Sequence, residues 1–256
     1  MKRKLESKNV ILSEEELKKI FTLVYRGRFR EAKELIPVEY RHLPLEIQDP
    51  EGAYRWGDVP LLHYAAMNWS DDIINYLLDG GADVDLKQLK YEYTPLYAAA
   101  SRGWNKCCEL LLDRGANVNH RSKWGQTPLS VAARNNHEIT CKLLISRGAN
   151  INTQEFGGET PLHKVINRNQ SPIVKLLLSE GARIDIKDFK GTTSLDLAKA
   201  YHFMRIVSLL ENHSVTLNLS GVISRSLIVH SLFSDFLIHK IDDPRLFIII
   251  SNFAYQ

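Results

Sequence analysis

Apolar and polar residues fall at helical spacing, in paired short blocks, along most of the chain. The pattern is clearest between Trp124 and Asn152. Leu129, Ala132 and Ala133 make one narrow apolar face, and Ile139, Leu143 and Leu144 make a second stripe. Gly125 permits a tight turn ahead of the first block. Thr127 is a helix N-cap, and Pro128 fits the first helical position, where its missing N–H is no loss. Asn136 suits a left-handed turn between the blocks. Gly148 ends the second block before Ala149–Asn152 lead into the next turn. The spacing predicts two short antiparallel helices. Such a hairpin cannot bury its own apolar face and needs neighbours.

The neighbours are present in the sequence. The capping position recurs at Pro60, Thr94, Thr127, Thr160 and Thr193, with successive differences of 34, 33, 33 and 33. The helix-ending glycines Gly81, Gly115, Gly148 and Gly181 step by 34, 33 and 33. The cap opens the runs Thr94-Pro95-Leu96-Tyr97, Thr127-Pro128-Leu129-Ser130 and Thr160-Pro161-Leu162-His163. Looser forms stand at Pro60-Leu61-Leu62-His63 and Thr193-Ser194-Leu195-Asp196. With this period and signature the chain resembles the ankyrin repeat family over roughly residues 55–212. The resemblance implies an all-α solenoid of stacked helix–turn–helix units with β-turn or hairpin tips. Five repeats are expected over 56–212. Trp69 stands where the next repeat has Gly103. A tryptophan resists a left-handed backbone, so that helix–helix turn is expected to differ from its sisters.

The ends are less regular. Residues 1–12 are expected to be a flexible tail, with Lys2-Arg3-Lys4 as a candidate nuclear import signal. Ser13 with Glu16 is a capping-box pattern. It opens a helix through Leu17, Ile20, Phe21 and Val24, broken at Gly27 and followed by Phe29, Ala32, Leu35 and Ile36. Residues 13–55 therefore read as a degenerate N-terminal capping repeat plus an insertion, irregular from Pro37 to Gly57. Residues 213–256 form an atypical hydrophobic segment ending in the β-prone run Leu246–Ile250. Some ankyrin proteins end in a box that recruits a ubiquitin-ligase scaffold. This segment lacks its Leu-Cys-Arg core, so a substrate-recruiting ligase subunit is only the alternative reading.

Composition narrows the function. The net charge of +3 is too small to argue for nucleic acid, and no stretch of about 18 apolar residues exists to span a membrane. Met1–Leu12 has no long apolar core of a secretory signal. Cys107, Cys108 and Cys141 read as reduced thiols, since equivalent positions in stacked repeats sit too far apart to bridge comfortably. That suits a cytoplasmic chain, with the nucleus left open. His63 and His163 fall at the signature position, where the resemblance implies a ring tying one turn to the next. The resemblance also singles out the turn-tip residues Asn119 and Asn152, hydroxylated in some ankyrin proteins. A plain backbone-bonding role serves them equally. There is no phosphate loop, nucleophile elbow or metal motif. We expect no enzyme activity, no cofactor, no metal and no small-molecule substrate, and a protein partner instead.

The resemblance places that partner on the concave face, built from turn tips and exposed positions of each first helix. Aromatic residues recur in the turns at Trp56, Tyr91 with Tyr93, Trp124, Phe156 and Phe189. The cations Lys90, Arg102, Lys123, Arg134, Arg168 and Lys190 align with them, against Glu159 alone. Met67, Gln126 and Asn135 complete the candidate face. Aromatic and arginine side chains dominate interface energetics, so the expected ligand is a segment with acidic and apolar residues.

Overall fold

A computed structural model describes residues 12–37, 46–47 and 59–214. The chain divides into two compact units, Met1–Val207 and Ser208–Gln256. The stacked hairpins belong to the first. The tail, most of the 37–57 insertion and the 213–256 segment lie largely outside the described residues, apart from His213 and Ser214, which are helical.

Helices dominate the described residues. They include α1 (Glu14–Tyr25), α2 (Phe29–Leu35), α3 (Leu61–Met67), α4 (Asp71–Asp79), α5 (Pro95–Arg102), α6 (Asn105–Asp113), α7 (Pro128–Arg134), α8 (Glu138–Ser146), α9 (Pro161–Ile166), α10 (Ser171–Ser179) and α11 (Ser194–Ala200), and residues 204–214 are helical as well. Within the expected irregular insertion, β1 (Glu46–Ile47) pairs antiparallel with β2 (Val59–Pro60), Glu46 opposite Pro60.

Helices α1, α5, α7 and α11 start where a side chain supplies a missing backbone acceptor. Thr94 Oγ1 accepts from Tyr97 N at 3.3 Å. Thr127 with Ser130, and Thr193 with Asp196, form reciprocal capping boxes. Pro95, Pro128 and Pro161 take the first helical position. The inner helices α3, α5, α7, α9 and α11 pack in succession, and the outer helices α4, α6, α8 and α10 do the same behind them. Helix α1 packs on α3 and α2 on α4, and Tyr76 Oη donates to Ile36 O at 3.1 Å. Leu96, Leu129 and Leu162 on the inner layer, with Ile73, Leu111, Leu144 and Leu177 on the outer, are fully buried or nearly so. Burying each such side chain contributes about 1.5–3 kcal/mol, so the stack supplies what one hairpin lacks.

Two local expectations are corrected. Ile139 is 67 % exposed. The buried stripe of α8 runs through Thr140, Cys141 and Leu144 instead, which share one helical face at i, i+1 and i+4, and Ile139 falls on the side turned away from it. Trp69 does adopt the left-handed backbone, at φ 57°, alongside Asn136 at 66° and Asn169 at 56°. Packing of α3 against α4 dictates that turn. The strain, about 1–2 kcal/mol for an L-residue, is offset in part by stacking of Trp69 on Trp104, ring centroids 5.8 Å apart.

The cysteines are free and buried. Burial pushes Cys108 and Cys141 up to about 12. Cys107 is raised further by burial and by donating its S–H to Asp71 Oδ1 at 2.9 Å. Alkylating reagents at mildly alkaline pH should therefore label these thiols only as fast as the stack opens. Stopped labelling followed by mass analysis would measure this, and rapid modification of the native chain would count against their burial.

Candidate partner-binding face

Each tip is a hairpin with a backbone bond across its base. The pairs are Gln88 N to Tyr93 O, Ser122 N to Gln126 O, Glu155 N to Glu159 O and Asp188 N to Thr192 O, at 2.9–3.0 Å. Side chains cap the turns from within. Tyr91 N donates to Gln88 Oε1 at 2.8 Å, Trp124 N to Ser122 Oγ at 3.2 Å and Lys190 N to Asp188 Oδ1 at 2.9 Å. The tips are also joined to each other: Lys123 N donates to Tyr91 O, Phe156 N to Trp124 O and Phe189 N to Gly157 O, at 2.9, 3.1 and 3.0 Å. These bonds fix the spacing of successive rings. Asn119 and Asn152 do bond to backbone, accepting from Asn150 N at 2.7 Å and Arg183 N at 2.9 Å.

The signature histidines tie turns together. His163 Nε2 donates to Thr192 O at 3.2 Å, while its Nδ1 accepts from Thr160 N at 3.2 Å. His63 Nε2 donates to Tyr93 O at 2.6 Å. Its Nδ1, though buried, has no hydrogen-bond partner. The cause is Pro60, which supplies neither the N–H nor the hydroxyl that Thr160 supplies to His163. Pro60→Thr should complete the box and stabilise the chain by about 1 kcal/mol, less whatever the lost proline rigidity adds to the unfolded ensemble. A higher urea midpoint at unchanged slope is expected; a lower midpoint would refute the account.

The predicted face is partly assembled. Trp124, Phe156 and Phe189 are 48 %, 63 % and 78 % exposed in a row along the tips. Lys90, Arg102, Lys123, Arg168 and Lys190 are exposed as well. Lys90 Nζ lies 5.0 Å from the Tyr91 ring centroid. From there a column of rings runs inward: Tyr91 on Tyr93 at 5.6 Å, then Tyr93 on buried Tyr97 at 4.1 Å and 7°. Gln126 Oε1 accepts from Tyr97 Oη at 2.9 Å and from Tyr93 Oη at 3.4 Å. Arg134 is half-buried. Trp56 lies outside the described residues.

Three expectations need revising. Met67 is buried; it lines a small cleft with His63, Gln88, Tyr93, Tyr97 and Ser101 and presents little to solvent, and its carbonyl accepts from Trp104 Nε1 at 2.8 Å. Asn135 is engaged in the stack, Nδ2 donating to Ser101 O at 2.8 Å. Glu159 is not a lone free charge. It pairs with Lys164, which also meets buried Glu155 at 3.3 Å, and Asn167 Nδ2 donates to it at 3.2 Å. Burial alone would lower the pKa of Lys164; the Glu159 hydrogen bond and the two carboxylate charges outweigh it and raise it.

Sequence reasoning missed Tyr97, Glu155 and Lys164 as parts of this face. Lys164 sits four residues after its cap, like Ala98 and Val131, so the same counting would have found it. Burial raises the Tyr97 hydroxyl far above the ordinary range. Among the described residues no cluster of His, Cys, Asp or Glu is placed to hold a metal ion.

A face of regularly spaced tips over stacked hairpins has a counterpart among known proteins. Residues 62–155 match the model for ankyrin repeats in three copies, and residues 144–198 the model for ankyrin repeats in many copies. The chain belongs to the ankyrin repeat family. Ankyrin repeats are in general protein–protein interaction modules and are typically without enzyme activity. Among curated proteins the chain is similar to a probable E3 ubiquitin-protein ligase of Oryza sativa subsp. japonica, 46 % identical over 57 residues, which are 22 % of this chain and 13 % of that protein. A putative ankyrin repeat protein of Acanthamoeba polyphaga mimivirus is 37 % identical over 60 residues, 23 % of this chain and 8 % of that one. Diacylglycerol kinase iota of Mus musculus is 36 % identical over 72 residues, 27 % and 7 % respectively. The matches thus span only a small part of each relative. No helix among the described residues of this ankyrin chain is long and apolar enough to cross a membrane.

Proposed function

We propose that this ankyrin chain is a non-enzymatic interaction module, cytoplasmic in location, that captures a protein segment bearing acidic and apolar residues on its concave face. The row of exposed rings Trp124, Phe156 and Phe189, bonded tip to tip and flanked by Lys123 and Lys190, carries this reading. Large exposed rings held at fixed spacing are ready anchors that lose little conformational freedom on binding. The lysines steer an acidic segment and set its register. The test is affinity capture from a cell extract with the wild type and the Trp124→Ala/Phe156→Ala variant. Ring truncation at an anchor typically weakens binding by about 2 kcal/mol or more, so the partner should vanish from the variant's eluate. Equal recovery by a folded variant would end the reading.

A second reading, a substrate-recruiting subunit of a ubiquitin ligase acting through residues 213–256, draws support from the plant relative that bears a ligase name. Co-purification of a cullin–adaptor complex, lost on deletion after His213, is its test.

A further inference from the structure

Among the described residues, the large apolar side chains left exposed fall in two rows. Leu89, Trp124, Phe156 and Phe189 stand at the tips. Tyr25, Trp69, Ile139, Tyr201 and Met204 stand at the opposite end of the hairpins, in or beside the corners where each inner helix gives way to its outer one. The corners are tied together as the tips are. Trp104 Nε1 donates to Met67 O at 2.8 Å, His137 Nε2 to Ser101 O at 3.1 Å and Gln170 Nε2 to Arg134 O at 3.1 Å. The His137 ring lies so close to Gly103 that a Cβ there would meet its Nδ1 at 2.5 Å. Successive corners are thus held one repeat apart, about 8–10 Å. Trp69 takes its place at a cost. Its left-handed backbone, φ 57°, is one that Gly103, Asn136 and Asn169 adopt more easily. The ring nevertheless stays 51 % exposed while stacked on Trp104. Strain held at an exposed aromatic residue points to a use for it.

The charge of this edge is mainly positive. Arg26, Arg102, Lys106, Arg168 and Arg205 are exposed in the same corners. Of the acids beside them, Glu138 pairs with Lys142 at 2.7 Å, Asp71 accepts from Cys107 at 2.9 Å, and Asp72 is exposed. We propose that this corner edge docks on the surface of an anionic lipid bilayer. Trp69, Ile139, Tyr201 and Met204 enter the headgroup boundary, and the cations between them meet lipid phosphates. Aromatic rings with a polar edge settle at that depth, and lysine and arginine are drawn to anionic headgroups. The spacing favours a bilayer over an acidic protein. Hot spots of protein interfaces cluster centrally in desolvated pockets, whereas these side chains stand singly, a repeat apart. A lipid surface accepts isolated side chains, each adding its own apolar area and charge. The corner edge is separate from the tip row, so the proposal goes beyond the interaction reading and does not rest on it.

The experiment is co-sedimentation of the full chain with vesicles of phosphatidylcholine alone or mixed with phosphatidylserine. Binding is expected to the mixed vesicles only, and it should weaken as salt rises. Lys106→Gln and Arg205→Gln should each cost about fivefold in affinity. Trp69→Asn combined with Ile139→Ser should cost about tenfold or more. If Trp69→Asn melts below the wild type, Ile139→Ser with Met204→Ser carries the test, since both change exposed side chains. Trp124→Ala/Phe156→Ala should bind vesicles as the wild type does, whatever becomes of partner capture. A chain that does not sediment with the mixed vesicles would overturn the proposal. So would binding that the corner variants leave unchanged, or that the tip variant abolishes. Capture of an acidic protein, lost in the corner variants of a chain that ignores vesicles, would assign the edge to a protein instead.

Discussion

Gly158→Ala should destabilise the stack by about 2–5 kcal/mol. Two terms combine. The backbone at Gly158 is left-handed, φ 76°, which costs an L-residue about 1–2 kcal/mol. A Cβ there would also lie 2.7 Å from both Phe189 N and Phe189 Cδ1, and 3.0 Å from Asp188 C. These are mostly backbone atoms of the next tip, and they cannot swing away. The tip would have to retreat, breaking the Phe189 N to Gly157 O bond. Overpacking of this kind adds about 1–3 kcal/mol. Gly191 gives the control. It has φ 80° but no atom within 4 Å of its Cβ position, so Gly191→Ala should show the backbone term alone. Denaturant melts of both variants would separate strain from collision, and equal losses would mean that the tips are held less closely than these distances require. Because neighbouring repeats stabilise one another, the loss at Gly158 should be shared across the array. It should also lower affinity for any segment that spans the Trp124–Phe189 row.

The repeat was legible in the sequence because its rules are local. Thr127 followed by Pro128 starts a helix whatever surrounds it, and Gly148 at φ 86° ends one by conformational freedom alone. The period then multiplies those local signals. What was not legible depends on neighbours across the stack. Ile139 looks like a core residue by composition, and only the face that α8 turns to its neighbours, through Thr140, Cys141 and Leu144, leaves it outward. Trp69 looks incompatible with its turn until the Trp104 ring is placed over it. The site shows the same division. Phe156 and Phe189 could be found by counting from the cap. Met67 could not be distinguished as buried rather than exposed, since that is decided by how the next repeat packs on α3. Counting Glu159 as the lone opposing charge failed because ion pairing is a three-dimensional property. Lys164 bridges two carboxylates of one tip.

Acidification from pH 6.5 to 4 should unfold this chain more readily than its carboxylates alone would explain, because two buried histidines must take up protons. Burial holds His63 down to about 4, against an opposing pull from its bond to the Tyr93 carbonyl. Burial likewise lowers His163, opposed by its bond to Thr192 O and by Asp188 and Glu159. The His63 ring is thus neutral in the folded chain down to about 4, and His163 takes up a proton less readily folded than unfolded, where both rings titrate near 6.5. The unfolded state binds more protons throughout this window, so stability is fully present above 6.5 and falls as pH drops towards 4. For His63 the loss approaches about 3 kcal/mol, at a slope near 1.4 kcal/mol per pH unit. His63 also has a specific reason to resist protonation. Its Nδ1 faces Pro60 in place of a capping threonine, and no acceptor there could receive the new N–H. The lowered carboxyl groups of Asp185, Asp188 and Asp196 act in the same direction, but below their own ordinary values, in more acidic solution. Urea melts across this range on the wild type and His63→Gln give the measurement. The substituted amide can keep the bond to Tyr93 O yet cannot titrate, so the variant should lose most of the slope between 6.5 and 4, whatever its stability at neutral pH. Parallel slopes in the two proteins would show that the buried ring is not what acid attacks.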